Sequence, residues 1–350
     1  MVREICEKKG ILYPKKPVAV LYFNRYCPYK CPYCAIRKDD AKPEGELSAK
    51  DWFDILDYLK EEFEISFFLI LGNEPLSMGE KLLDILDFMN SRGYLYNFYT
   101  SFPETIDKSF MHEVFDVTVS VSGAVDTFFQ NGKIPVETLR KSKRVYQALV
   151  EAKNRGVRDV FATFTLANYN VDQLSSIVRK LSFEEIFVDV NVLHYKPEGL
   201  DYFDFFSEYS KFFVPKRDVV LKKQLEEIIE MIDSPLGKYI QPPKEYFRDI
   251  YLYGVEQRHK WIYGMGSISI DSDGSMRVCA YRKFVDYKVT IFDIMRSKEK
   301  LEEFVDRKYK EMLFCAGCFW ECIWMLDYSE KTGDFRFDLD VVRRVNGDRG

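Results

Sequence analysis

Apolar runs and helical periodicities alternate along the first two-thirds of the chain. Val18 to Phe23 is a short continuous apolar run of the kind a buried strand requires. After a cysteine-bearing loop, Ser48 reads as an N-cap with Asp51 at the third helical position. Trp52, Ile55, Leu56 and Leu59 then recur at helical spacing. Further strands are expected at Ile65–Leu71, Leu95–Ser101, Asp116–Ser122, Asp159–Leu166 and Ile186–Leu193. Helices are expected at Lys81–Met89, near Glu104–Val114, and at Val136–Arg155 and Val171–Leu181, with Gly156 as a C-terminal stop. Roughly six strand–helix units in succession predict an α/β fold with a parallel sheet, either open or curled into a partial barrel. In both forms ligands collect at the carboxyl ends of the strands. The pattern places the cysteine loop, Gly72-Asn73-Glu74-Pro75, Ser101, and Ser120 with Ser122 on that one rim.

The alternation stops between Lys196 and Trp261. Phe203, Phe206, Tyr209 and Phe213, then Leu225, Ile228, Ile229 and Ile232, suggest helices that cap or bridge the barrel, interrupted by Pro235, Pro242 and Pro243. Ile268 to Cys279 reads as a β-hairpin around an Asp273-Gly274 turn. The expected organisation is a segment 1–16, a barrel 17–195, a helical segment 196–261, and a small hairpin and helix domain over 262–350.

Composition narrows the function classes. The chain has 350 residues, 47% hydrophobic and 31% charged, enough to bury one large core or two. A formal net charge of −5 leaves no basic footprint for nucleic acid. No apolar run approaches the roughly 20 residues that span a membrane, and Met1 to Gly10 lacks the apolar core of a secretory signal. A cytoplasmic location, with thiols kept reduced and available to metals, is therefore expected.

The chemistry lies in the cysteines. Cys27, Cys31 and Cys34 follow the first strand in a Cys-Pro-Tyr-Lys-Cys-Pro-Tyr-Cys loop, stiffened by Pro28 and Pro32. No fourth Cys or His follows nearby to complete a zinc tetrahedron, and an odd trio cannot pair internally as disulfides. Three thiolates around a four-iron cluster leave one iron open, the mark of a catalytic centre. This spacing, with Tyr33 before the last cysteine, resembles the signature of the radical S-adenosylmethionine (SAM) enzymes. The resemblance implies a partial (β/α)6 TIM-like barrel and a [4Fe–4S] cluster whose open iron is ligated by SAM. It also implies reductive cleavage of SAM to a 5′-deoxyadenosyl radical that removes a substrate hydrogen. Gly72-Asn73-Glu74-Pro75 resembles the family's Gly-Gly-Glu-Pro turn, where strand-end backbone holds the SAM amino group; Asn73 stands in for the second glycine, a change that φ > 0 would accommodate. Ser120-Val121-Ser122-Gly123 resembles the fourth-strand Ser-x-Asp-Gly segment, with Ser122 in place of Asp. The resemblance thus implies SAM contacts from Tyr33, Gly72, Asn73, Glu74, Ser101, Ser120 and Ser122. The family's basic residue after this segment has Lys133, Arg140 and Arg144 as candidates. His112, His194 and His259 are isolated, with His194 at the end of the last barrel strand.

A second set comprises Cys279 after the hairpin and Cys315, Cys318 and Cys322 in a C-x2-C-x3-C run. Four thiolates satisfy either a fully ligated [4Fe–4S] cluster or a zinc ion. The pattern resembles the SPASM/twitch extension of radical SAM enzymes, implying one auxiliary cluster with an electron-transfer role. Cys6 is left over. The family implies a low-potential donor of ferredoxin or flavodoxin type. Peptide or protein side-chain oxidation or crosslinking is the leading reading, beside a small-molecule dehydrogenase or cofactor-biosynthesis enzyme. A non-catalytic iron–sulfur or zinc protein is the third.

Overall fold

Six strands follow one another in the sheet in chain order, each parallel to the next: β1 (Val18–Tyr22), β2 (Phe67–Leu71), β3 (Tyr96–Thr100), β4 (Ser120–Ala124), β5 (Asp159–Leu166) and β6 (Phe187–Val192). The computed structural model describes residues 1–29, 45–130, 134–193, 213–214, 217–253, 265–279, 284, 286–313 and 321–333, the last without the side chains of 321–323, 326, 327 and 330. Cys31, Tyr33, Cys34, Lys133, His194, His259, Cys315, Cys318 and the Cys322 side chain lie outside the described residues, as do Phe203, Phe206 and Tyr209.

Helices α1 (Val2–Lys8), α2 (Ala49–Glu62), α3 (Glu80–Ser91), α4 (Lys108–Val117), α5 (Val136–Asn154) and α6 (Leu174–Phe183) accompany the strands. The expected capping box forms: Ser48 accepts from the Asp51 backbone N–H and Asp51 accepts from that of Ser48. One boundary differs from expectation. Asp116 and Val117 close α4 instead of opening a strand, because Asp107, not a residue near Glu104, caps the helix by accepting from the N–H groups of Ser109 and Phe110. The helix therefore runs later, and β4 begins only at Ser120.

Alternation sorts the strand residues between two faces. Ala19, Leu21, Phe68, Ile70, Phe98 and Val121 join the helices in one continuous core. On the other face, Phe161, Phe187 and Tyr239, with Phe67 and Leu95 against them, form a separate apolar cluster near the amino ends of the strands. Their rings meet at a tilt, with centroids 5.2 Å (Phe161–Phe187) and 5.7 Å (Phe187–Tyr239) apart. This cluster occupies the amino-terminal part of the inward face. Above it the inward positions turn polar, with Asn97, Ser122, Thr163 and Asp189 all buried.

The later elements are built onto this sheet. β7 (Ser267–Ile270) pairs in parallel with β1, Val18 opposite Ser267, and β8 (Met276–Arg277) pairs antiparallel with β7. The Asp273-Gly274 turn needs Gly274 at φ +82°. Between the barrel and this hairpin, α7 (Val219–Ile232) and α8 (Lys244–Tyr253) are separated by Pro235, Pro242 and Pro243, as the pattern anticipates. Tyr246 of α8 donates to the Val190 carbonyl at 2.6 Å. Beyond the hairpin come α9 (Ile291–Arg296), α10 (Lys298–Leu313) and α11 (Glu321–Thr332). Phe304 of α10 meets Phe63 edge-on at 6.4 Å, Tyr58 of α2 donates to the Ile294 carbonyl at 3.1 Å, and Trp324 of α11 packs on Tyr246 at 5.3 Å. None of the described helices is long and apolar enough to cross a membrane.

Candidate active site at the carboxyl rim

Glu74 is the hub of the rim. It lies one turn past β2, fully buried, and caps the short 3-10 turn Pro75–Met78 by accepting from the Leu76 N–H at 3.1 Å. Its carboxylate also accepts from the Thr100 hydroxyl at 2.5 Å, and from the Ser101 N–H and hydroxyl at 2.9 and 2.5 Å. The ends of β2 and β3 are thereby locked together. Burial pushes the Glu74 carboxyl above the usual range, against the pull of these four donors. Ser101, expected near SAM, is engaged here as a ligand of Glu74.

The turn before Glu74 closes on the end of β1. Asn24 donates to the Glu74 carbonyl and to the Ser77 hydroxyl, both at 2.8 Å. A Cβ on Gly72 would stand 2.6 Å from the Asn24 side-chain oxygen, so only glycine fits. Asn73 is not among the residues with positive φ, which corrects the reason expected for its tolerance. Its side-chain amide instead donates to the Arg25 carbonyl, pinning the start of the cysteine loop. Asn24 escaped the sequence reading, although a lone amide directly after a buried strand was its available signal.

Arg25, two residues before Cys27, is held on several sides. Its backbone N–H donates to Glu46 at 3.2 Å, and its guanidinium pairs with Asp271 at 3.0 Å and Asp273 at 3.1 Å on the hairpin. Cys27 is partly exposed. Two residues on, the Tyr29 hydroxyl accepts from Arg144, whose guanidinium also lies over the Tyr29 ring at 5.1 Å. Arg144 further donates to the Phe102 carbonyl at 2.6 Å and to Glu104 at 2.5 Å, so it braces the cysteine loop against the end of β3. Phe102 adopts φ +47°, a strained conformation for an aromatic residue at the rim. Arg140 is exposed. His112 pairs with Glu151 at 2.6 Å across α4 and α5, on the outer helical layer.

Ser120 departs from its expected place: it is the first residue of β4, at the amino end. The late start of the strand explains this. Ser122 lies at mid-strand, where its hydroxyl accepts from Asn97 at 2.7 Å. Several buried polar atoms here have no hydrogen-bond partner among the described residues: Asn97 Oδ1, Ser120 Oγ and Thr163 Oγ1. Such atoms call for water or a ligand. An apolar floor beneath orphaned polar atoms, under a rim of exposed backbone and thiol, suits a bound polar cofactor.

Of the second cysteine set, Cys279 follows β8 and is partly exposed. Lys308 of α10 donates to the Val278 carbonyl beside it. Burial lowers the Lys308 ammonium to about 8, while Cys279 acts in the opposite direction. Cys6 lies on the buried face of α1, and burial pushes its thiol up to about 11, as suits a structural residue.

Residues 21–181 match the model of the Radical SAM superfamily. Among solved structures, SuiB of Streptococcus suis is similar at TM-score 0.60 and 17% identity, over 88% of this chain and 69% of SuiB. SuiB bound to its precursor peptide SuiA gives TM-score 0.57 at 17% identity, over 83% of this chain and 66% of that one. anSMEcpe with bound AdoMet and the Cp18Cys peptide gives 0.51 at 14% identity, over 86% and 89%. At these identities the structures speak to the fold, and the family model speaks to the barrel. Residues 21–181 thus match a radical SAM domain, and over most of the chain the likeness to these solved structures is one of fold.

Proposed function

We propose that the protein binds SAM and a catalytic [4Fe–4S] cluster at the carboxyl rim and acts on a peptide or protein side chain by oxidation or crosslinking. The observation that carries this is the Glu74 hub: one buried carboxylate fixes the ends of β2 and β3, while Asn24 and Asn73 tie the same turn to β1 and the cysteine loop. Cys27, Cys31 and Cys34 would hold three irons, and backbone at Gly72 and Asn73 would face the SAM amino group. Tyr33 and Ser101 would border SAM, with Ser120 and Ser122 deeper in the barrel. When bound, these groups supply one electron and a 5′-deoxyadenosyl radical that removes a hydrogen atom from the substrate. The chain's own part is to hold SAM rigidly and exclude water. The buried side chains of Asn97 and Thr163 offer hydrogen-bonding atoms to a polar guest, and the aromatic floor stops its descent.

Cys279, Cys315, Cys318 and Cys322 would hold an auxiliary [4Fe–4S] cluster within the region 262–350. Four thiolates leave no iron open, which suits an electron acceptor for a net two-electron oxidation. A ferredoxin or flavodoxin would deliver electrons in the cytoplasm. Support for a peptide substrate comes from SuiB and anSMEcpe, whose structures hold peptides.

The test is anaerobic reconstitution with iron and sulfide, then dithionite and SAM. About eight irons per chain and release of 5′-deoxyadenosine are expected, with cleavage lost in Cys27→Ala. Absence of SAM cleavage in the eight-iron protein would rule out the proposal. Deuterium transfer into 5′-deoxyadenosine from labelled peptides, and not from small hydroxy or amino compounds, separates the two substrate classes.

A further inference from the structure

The inward face of the barrel is lopsided in its chemistry. On β1 and β2 it is largely apolar, with Val20 opposite Leu69 and Tyr22 opposite Leu71. On β5 and β6 the inward pairs run from Phe161 opposite Phe187, through Thr163 opposite Asp189, to Thr165 opposite Asn191. The first pair belongs to the aromatic cluster. The middle pair is buried, Thr163 at 6% and Asp189 at 4% exposed. The last pair, nearest the carboxyl ends, is half-buried, as are Tyr99 and Ala124 on the same face. Solvent therefore reaches this face down to Thr165 and Asn191, and the Thr163–Asp189 pair lies one pleat below. The neighbour of Thr163 on β4 is Ala124, whose side chain is a single methyl. Neither the Thr163 hydroxyl nor Asn97 Oδ1 on β3 has a hydrogen-bond partner among the described residues. Buried polar atoms so placed call for a guest or a water. An ionised carboxylate accepts hydrogen bonds and donates none, so Asp189 favours a guest that brings N–H donors and positive charge. An ammonium or a guanidinium supplies both, a hydrocarbon supplies neither, and an acid would be repelled.

We propose that Thr163 and Asp189 are the specificity-determining pair of the barrel and receive a cationic nitrogen of the substrate, carried by an amine or a guanidinium. The inference rests on the reading given above, in which the barrel is the substrate chamber, and names the side-chain class it takes. The apolar β1–β2 side receives the hydrocarbon part of the same guest. A peptide side chain with a hydrocarbon stem and a charged end matches this division. Neither residue removes a proton or a hydrogen atom in this role; the pair selects and orients.

The experiment is isothermal titration calorimetry on the reconstituted full-length protein with SAM and no reductant. The probes are the N-acetyl methylamides of lysine, arginine, norleucine and glutamate. In the parent, the lysine or the arginine probe is expected to bind at least about tenfold tighter than norleucine, with glutamate weakest. The order of the two cations tells amine from guanidinium. Asp189→Asn removes the charge at the same volume and should bring the cationic and neutral probes within about threefold of each other. Thr163→Val should weaken the cationic probe and leave norleucine unchanged, with Thr163→Ser recovering the loss. That second pair of variants carries the test if Asp189→Asn does not fold. Equal affinity for cationic and neutral probes in the parent overturns the assignment. So does a preference that survives in Asp189→Asn, or no heat from either cation at ~10 mM. Dithionite is then added to the same samples. No release of 5′-deoxyadenosine from the fully loaded parent ends the radical SAM reading, whereas release without any cation preference ends this inference alone.

Discussion

The Asp271 carboxylate stands 2.5 Å from the Arg277 guanidinium, with both side chains 2% exposed. The same carboxylate pairs with Arg25, 246 positions earlier in the chain. Each arginine precedes a cysteine by two residues, Cys27 in one case and Cys279 in the other. One buried acid thus joins the approach to both thiol sites. Burial pushes the Asp271 carboxyl up, but the Arg277 and Arg25 guanidiniums pull it further down, so it ends below the usual range. Asp271→Asn is expected to cost about 3 kcal/mol in urea unfolding, because it removes the buried carboxylate that faces both Arg277 and Arg25. A depressed carboxyl stabilises the fold above its ordinary pKa of about 3.9 and loses that contribution as pH falls through the folded value. Acid unfolding curves below about pH 4 should therefore be shallower in the variant than in the parent.

Glu74→Gln keeps the shape of the hub but leaves one acceptor oxygen where two stood. Oε1 serves Thr100 and Leu76, and Oε2 serves both groups of Ser101, so two donors meet an amide NH2. A loss of about 2 kcal/mol is expected. SAM affinity by equilibrium dialysis should fall at least about tenfold, with the iron content unchanged. Unaltered SAM binding would detach the hub from the cofactor.

Gly72→Ala drives a methyl into the Asn24 oxygen. Moving Asn24 frees the Glu74 carbonyl and Ser77, at an expected cost of about 1–3 kcal/mol. Thermal melts of Gly72→Ala and of the double variant with Asn24→Ala check this. The second substitution should recover part of the loss if the clash is its source.

Thr163→Val separates a binding role from a structural one. The Thr163 hydroxyl is buried with no partner among the described residues. Removing it should leave stability within about 1 kcal/mol of the parent, or raise it. If the hydroxyl awaits a ligand, SAM or substrate affinity falls in the same protein. A stability loss with unchanged affinities would instead point to an ordered structural water.

Much of the barrel is legible from apolar spacing alone. The strands at Val18, Phe67 and Asp159 and the Ser48–Asp51 cap follow from local pattern, because each depends on residues within one element. The start of β4 does not, since Asp116 and Val117 suit a strand as well as a helix end, and Asp107 decides between them. Contacts between distant segments are harder still. Nothing local announces that β7 will pair with β1, that Asp271 will find Arg25, or that Asn24 will brace Gly72. The Gly72–Pro75 turn is legible as the end of a buried strand, but its dependence on Asn24 requires three dimensions.

The rings of Phe161, Phe187 and Tyr239 lie toward the amino ends of the strands, and the buried polar side chains of Asn97, Ser122 and Thr163 share the inward face with them. A polar guest settling on that face keeps finding hydrogen-bonding atoms until serine and threonine give way to phenylalanine. The depth to which it can sink is thus set by a change of side-chain chemistry along the strands.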